Sequence, residues 1–546
     1  MLVSSINFAA ISGVSGPVLA NVEKRLHELE IIKPLNQYDP QELQQQIINA
    51  IEPFAYFRAR VAVHVNNQNK VDIIIHPGAP LRISALNVAL MGPGSQSPKL
   101  QALIHDLPFK VGDPLNTDKY NKLKQHLVNT AENLGYLRSS FKKAEIILDV
   151  VNNRGQIHLV FDTGPEYFFG QVQFDPTYIS PRLLHRFVPF KPGQAYSTEQ
   201  ILKLNKNLSD SGYFNSVLVN PQITDALTVP VNIKVLPVPK YSYSLGAGYG
   251  TDTGFRGRAG LHITPVNRKG HKFNAIAQGS TSQNALLAQY IIPAHNPVTD
   301  QYIISGNFSN LNYTSGDSNS VLVSLAHQHN VDRFKRSLSI NSLYERFNYT
   351  LQPANDQFIL YPKASLTFNR TSSKLFSPSG YSLTFNALGG TKAVLSDINI
   401  GQVSMDARAA LMLEPLGLRL YGHTIQGITA INDINTLPIS LALLLGGTDN
   451  LKGFSFNSIG PGKYTSYAGF EIQKEVVKNW YIMGFYDAGT VYNPTPQLTQ
   501  YDAGGGLMWV SPIGPIKAGI AQPITDRFAF VNGSKPRLVI SMGPDL

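Results

Sequence analysis

Residues 446–490 hold the side chains best placed to do chemistry. A glycine-rich loop carries Leu451-Lys452-Gly453-Phe454, and the two strand-like runs after it carry Glu471 and Asp487. One cation and two carboxylates among aromatic and small residues can pin a loop inside a polar cavity, because charges leaving water are favoured only when paired. Alternation sets Glu471 with Tyr467, Gly469 and Gln473, opposite Ala468, Phe470 and Ile472, so it should face an interior. Strict alternation groups Asp487 with Met483 and Phe485, which leaves its direction open, and a bulge would change it. Taken alone, Lys452 fits a solvated loop charge as readily as a buried one.

No catalytic pattern competes. Gly-x-Ser-x-Gly, His-Glu-x-x-His and phosphate-loop signatures are absent. Gly246-x-Gly248-x-Gly250 lies in a strand with the wrong spacing for a dinucleotide turn. The 13 histidines are scattered. His327 and His329 sit two apart on a strand, a weak metal pattern that we set aside. With no cysteine, thiolate metal sites, disulfides and cysteine nucleophiles are excluded. We expect no enzyme, no metal and no cofactor.

These residues need a scaffold, and the composition points to strands in a membrane. The 546 residues are 43% hydrophobic, yet no apolar run approaches the roughly 20 residues of a membrane helix. A barrel strand needs only about 9–11 residues, which alternate between lipid and lumen. Tyr (25) and Phe (27) are plentiful and suit strands and interface girdles. The net charge of +10 reads first as solubility; no basic run with interleaved aromatics suggests nucleic acid. Residues 1–20 carry no Lys or Arg, so Pro17-Val18-Leu19-Ala20 is not taken as a cleavage site and the chain is expected to be a mature form.

The chain changes character near Tyr241, after Pro237-Val238-Pro239. Before it, Pro108-Phe109-Lys110-Val111-Gly112 recurs as Pro189-Phe190-Lys191-Pro192-Gly193, and each copy precedes a helix-like stretch, 118–134 and 198–209. Each of these ends in Gly and an aromatic, Gly135-Tyr136 and Gly212-Tyr213, where a left-handed cap is favoured. With an earlier unit built on a strand at 6–11 and helices near 17–29 and 40–51, this predicts three β-α-α-β-β repeats. Asp39-Pro40 should start the second of those helices. After Tyr241 the period is two, with runs at 241–250, 273–278, 302–308, 321–326, 381–387, 418–421, 437–445, 466–473, 481–485, 504–510, 516–520 and 536–542. About 300 residues at about ten per strand plus turns allow about 14 to 18 strands, and we expect sixteen.

Three such units before a barrel resemble the polypeptide-transport-associated (POTRA) domains and barrel of the outer-membrane assembly superfamily. The glycine-rich loop resembles that family's sixth extracellular loop, which folds back into the lumen with a Val/Ile-Arg-Gly-Phe/Tyr tip. Here the tip has Lys452 for Arg, followed by Gly453 and Phe454, and Glu471 and Asp487 match the lumenal carboxylates. Lys is a point donor without Arg's fork, so a looser clamp is expected. The three repeats and the ending Met542-Gly543-Pro544-Asp545-Leu546 are most similar to the family's translocation and assembly module branch, the TamA type. The resemblance implies an α+β class of three POTRA domains at 1–78, 79–165 and 166–239, then a 16-stranded transmembrane barrel at 240–546. It also implies insertion and secretion of autotransporter-like barrel clients from the Gram-negative outer membrane, with the repeats in the periplasm. An inner-membrane-anchored, TamB-like partner at the first repeat is implied too. Outer-membrane lipid is the remaining partner, and nucleic acid is not one.

The closing seam should be weak. Gly246, Gly248 and Gly250 loosen the first strand beside Leu245. The last strand, with Leu538 and Ile540, follows Gly533 and Pro536 and ends at Gly543 and Pro544, which donates nothing to a ladder. A lateral gate is expected there, with Leu245 facing Ile540; the plainer reading is that these residues serve twist and turns. Two other functions compete. A two-partner secretion transporter usually has two such domains and a plug helix, and a passive porin needs no 240-residue annex.

Overall fold

The computed structural model describes residues 8–66, 70–373, 375–493, 499–512, 514–525 and 535–543. Two compact units emerge. The first comprises residues up to Asp175 with Val188–Lys206 and Leu218–Lys234; the second holds the remainder, including everything from Val235 onward.

The opening repeat contains β1 (Phe8–Ser12), α1 (Gly16–Ile32), α2 (Pro40–Ile51), β2 (Arg60–Val65) and β3 (Val71–His76). The expected strand at 6–11 begins at Phe8, residues 6–7 lying outside the described ones. Asp39 caps α2, its carboxylate accepting from Gln41 N at 2.7 Å, with Pro40 in the first turn where no N–H is needed. Leu43 and Ile47 of α2 and Val22 and Leu26 of α1 bury against Val71, Ile73 and Ile75, the inward face of β3.

The second repeat has β4 (Arg82–Met91), α3 (Pro98–His105), α4 (Thr117–Asn133), β5 (Ser140–Asp149) and β6 (Arg154–Asp162). The third has β7 (Phe168–Phe174), α5 (Pro181–Leu184), α6 (Thr198–Asp210), β8 (Phe214–Pro221) and β9 (Thr228–Pro237). Their sheets share one order: β1-β3-β2, β4-β6-β5 and β7-β9-β8. In each, the repeat's first strand runs parallel to the central one. Gly135, with φ +90°, turns the chain after α4; a side chain there would meet the Tyr167 carbonyl oxygen at 2.8 Å. Phe190 of the recurring Pro-Phe-Lys motif stacks on Phe169 at 3.7 Å, so that motif is a core feature.

Sixteen antiparallel strands follow in sequence order. They are β10 (Tyr241–Gly250), β11 (Gly254–Ile263), β12 (Lys272–Gly279), β13 (Gln283–Pro293), β14 (Asp300–Tyr313) and β15 (Gly316–Val331). Next come β16 (Phe334–Tyr349), β17 (Asn355–Thr371), β18 (Gly380–Gly390), β19 (Ile400–Leu413) and β20 (Leu418–Ile431). Last are β21 (Tyr464–Val477), β22 (Trp480–Tyr492), β23 (Gln500–Ser511), β24 (Gly514–Pro523) and β25 (Arg537–Met542). The fold class is thus three small α/β units with a nearly closed 16-stranded barrel. No helix among the described residues is long and apolar enough to cross a membrane.

The outer face is apolar, with Ile304, Phe308, Val323, Leu325, Leu338 and Ile340 exposed. Such a belt suits hydrocarbon. Aromatic pairs mark its ends: Trp480 stacks on Trp509 at 5.6 Å, and Tyr464 on Tyr492 at 5.1 Å. Inward positions instead bury polar groups, among them Glu345, Gln402, Arg419 and Gln473.

The expected strand over 437–445 does not form. Residues 432–463 are instead a long loop with short turns of helix at Ile434–Thr436 and Ile439–Leu441. Leu437, Ile439 and Leu445 are its buried apolar contacts, so their hydrophobicity serves the lumen wall, not lipid. β11, β13, β16, β17 and β19 have no counterpart among the expected runs.

Candidate functional site: a loop pinned in the barrel lumen

The loop between β20 and β21 is fastened along its length. Glu345 of β16 accepts from Ser440 N at 3.1 Å and from the Ser440 hydroxyl. Tyr349 donates to the Leu437 carbonyl at 2.8 Å, and Gln402 to that of Leu441 at 2.9 Å. Further on, Asp449 pairs with Arg408 at 2.8 Å and its carbonyl lies 3.0 Å from His423 Nδ1. Gly446 and Gly447 take φ of +108° and +115°, which glycine alone adopts readily, and this turns the chain toward the tip.

At the tip, Lys452 is 6% exposed. Its ammonium lies 2.9 Å from Asp487 Oδ2 and 3.3 Å from Glu471 Oε1. Glu471 and Asp487 are 2% and 0% exposed, so this is an ion pair out of bulk water. Glu471 lies on the inward side of β21 with Tyr467 and Gln473. Asp487 also faces inward, in step with Met483 and Phe485, and β22 has no bulge there. Those apolar neighbours face the lumen too, and the Lys452 ammonium sits 4.7 Å from the Phe485 ring centre. Phe454 is buried with Leu445, Leu451, Ile459, Tyr467 and Val491.

Several partners escaped the sequence reading. Lys517 of β24 holds the other Glu471 oxygen at 2.8 Å, while Gln473 donates to it at 2.7 Å. Tyr467 donates to Asp487 at 2.8 Å. Asp502 of β23, directly opposite Asp487, accepts from Gly453 N at 2.9 Å. Each carried a signal. Lys517 is a lone charge within Ile516–Ile520, and Asp502 alternates in phase with Gly504, Gly506 and Met508. A side chain on Gly453 would meet Asp502 Cβ at 2.9 Å and Pro523 N at 3.0 Å, which accounts for glycine there.

The seam between β10 and β25 is sparse. Among the described residues, its backbone contact is Thr251 N donating to the Ile540 carbonyl at 3.2 Å. Ile540 N in turn donates to the Thr251 hydroxyl at 3.1 Å, and Arg256 to the Met542 carbonyl at 3.3 Å. β24 and β25, by contrast, pair along the whole of β25. Ile540 therefore lies against Thr251, not Leu245. Leu245 is 89% exposed, on a stretch of β10 that, among the described residues, runs past the end of β25. Gly246 and Gly248 lie opposite Arg258 and Arg256. A side chain on Gly248 would crowd Arg256 Nε at 3.0 Å, and one on Gly250 would lie 3.4 Å from the Ile540 carbonyl oxygen. Leu538 is 57% exposed on β25, and Gly543 follows the strand with φ +142°. Pro544 and Gly533 lie outside the described residues. A cavity of ≈ 310 Å³ is lined by Gly250, Ile540 and Met542 together with Lys452 and Glu471.

His327 and His329 both approach Asp300, at 3.4 and 2.8 Å. Among the described residues, no three metal-binding side chains are grouped to hold an ion.

Two family models and one solved barrel agree with this architecture. Residues 269–535 match the Omp85 superfamily domain. Residues 167–237 match the POTRA family described as a surface antigen variable number repeat. The crystal structure of BamA from Haemophilus ducreyi lacking POTRA domains 1–3 aligns at 16% identity and a TM-score of 0.70, over 84% of this chain and 99% of that one. CdiB from Acinetobacter baumannii aligns at 13% identity and 0.49, over 97% and 98% of the two chains. With sixteen strands in order and a loop held in their lumen, the chain has a barrel whose residues 269–535 match the Omp85 superfamily domain, preceded by a repeat whose residues 167–237 match a POTRA family.

Proposed function

We propose that the protein inserts and secretes β-barrel clients of autotransporter type at the Gram-negative outer membrane, with its repeats in the periplasm. The observation that carries this reading is the seam: among the described residues, two strands of an otherwise paired barrel meet through few bonds. In hydrocarbon an unpaired backbone group is costly, so a client strand entering lipid must find hydrogen-bond partners at once. Among the described residues, the stretch of β10 holding Tyr243 and Leu245 lies beyond β25, and in this reading it offers such an edge. Leu245, Gly246, Gly248, Gly250, Leu538, Ile540, Gly543 and Pro544 make up the gate in this reading. Lys452, Gly453, Phe454, Glu471 and Asp487 make up the clamp that keeps the loop inside.

We assign domain boundaries after residues 78, 165 and 239, and place a TamB-like, inner-membrane-anchored partner at the first repeat. The third repeat favours the assembly-module role over two-partner secretion. A lumen occupied by residues 432–463 disfavours a steadily open porin. Depletion followed by outer-membrane proteomics tests the reading: barrel adhesins should fall while soluble exoproteins persist. Loss of one soluble exoprotein alone would point to two-partner secretion. A large, constant conductance in planar bilayers would point to a porin.

A further inference from the structure

Arg537, the first residue of β25, is absent from both the clamp and the gate above, yet it touches both. Its Nη1 donates to the carbonyl oxygens of Lys452 and Phe454, at 3.2 and 2.8 Å. These residues flank Gly453, so the guanidinium grips the loop tip by its backbone. Its Nη2 lies 2.6 Å from Asp252 Oδ1. Asp252 belongs to the turn joining β10 to β11, across the seam from β25. The other Asp252 oxygen accepts from the backbone N and hydroxyl of Thr448, each at 2.7 Å. The Arg537 and Asp252 side chains are 16% and 9% exposed, so the pair is shielded from solvent.

We propose that Arg537 is a positioning residue that couples opening of the β10–β25 seam to release of the lumenal loop, with Asp252 as its counter-charge. Two of the straps on the tip matter here. Lys452 ties it by its side chain to β21 and β22, and Arg537 ties it by its backbone to the last strand. If β25 leaves β10, the Arg537–Asp252 pair must part, or Arg537 must let go of the tip. Either event strands a charge or carbonyls in a shielded site, which is costly. Seam and loop therefore share one coupling free energy, and each motion favours the other. A guanidinium suits this role because its planar fork serves several acceptors at once, which an ammonium does not. The coupling is a property of the folded barrel; only its use in client insertion rests on the function proposed above.

The test needs no client. The chain has no cysteine, so Thr251→Cys with Ile540→Cys gives one seam disulfide that can be closed and reduced. In the purified full chain in lipid nanodiscs, the rate of tryptic cleavage after Lys452 reports loop release. With Arg537 present, closing the disulfide should slow cleavage about tenfold. With Arg537→Ala, the closed and reduced forms should be cleaved at the same rate. Arg537→Lys should fall between, because it keeps the charge beside Asp252 but not the grip on two carbonyls. Heat-dependent gel migration checks that each barrel is folded. If Arg537→Ala does not fold, Asp252→Asn is read instead and should also shrink the closed-to-reduced ratio. A ratio unchanged by a folded Arg537→Ala or Asp252→Asn variant would overturn the proposal, as would a parent cleaved equally in both states. A protein that keeps the coupling but inserts no client would contradict the functional reading alone.

Discussion

Lys452 is one cation set between acids on two strands, with a second cation, Lys517, completing the charge on Glu471. An arginine could address both carboxylates with one fork; here two point charges divide them. Removing a single partner would leave a buried charge uncompensated, at about 3–5 kcal/mol. Lys452→Met should therefore free the loop, seen as faster proteolysis at 446–458 in a barrel that still migrates as folded. Glu471→Gln should also loosen the loop, since it removes the carboxylate that Lys452 and Lys517 share, although Asp487 still holds Lys452. Gly453→Ala probes the tip by volume alone: its methyl would press on Asp502 and Pro523, and the loop should become protease-sensitive with every charge intact. Unchanged protection in Gly453→Ala would mean that the tip is held less closely than these distances say. Glu471 was legible in the sequence because its neighbours alternate cleanly. Asp487 was not, because Met483 and Phe485 beside it are apolar yet face the lumen, where the loop gives apolar side chains something to bury against. Asp502, Lys517 and Arg537 depend on which strands become neighbours, which a single strand's pattern does not record.

Among elements, the repeats were the most readable. Their helices carry 3.6-residue periodicity with Pro starts and Gly ends, so α2 and α6 lie where the pattern set them. Barrel strands were harder. β11 holds Arg256 and Arg258, and β16 holds Arg336 and Arg346; these charges interrupt an apolar alternation without ending the strand. The apolar run at 437–445 misled for the opposite reason, since a loop buried in a lumen has the composition of a strand facing lipid. Seam register was illegible as well, because β25 as described spans six residues, Arg537–Met542, and meets β10 beside Gly250 and Thr251. The disulfide test must follow that register. Thr251→Cys with Ile540→Cys should crosslink readily in the resting protein, whereas Leu245→Cys with Ile540→Cys should not. Efficient crosslinking of the Leu245 pair would place β25 in a different register along β10.

The whole molecule combines a weak seam, a loop strapped inside the bore and three repeats earlier in the chain. If the first repeat is a docking module, deleting residues 1–78 should leave a folded barrel with its loop protected while abolishing partner binding in pull-downs. The central claim is that clients pass through the β10–β25 seam. It is tested most directly by reconstituting the Thr251→Cys, Ile540→Cys protein in proteoliposomes and following assembly of a barrel client by its heat-resistant gel mobility. The account predicts that assembly stops with the disulfide closed and returns on reduction, with the cysteine-free protein indifferent to the reductant. Equal client assembly with the seam closed and open would contradict it.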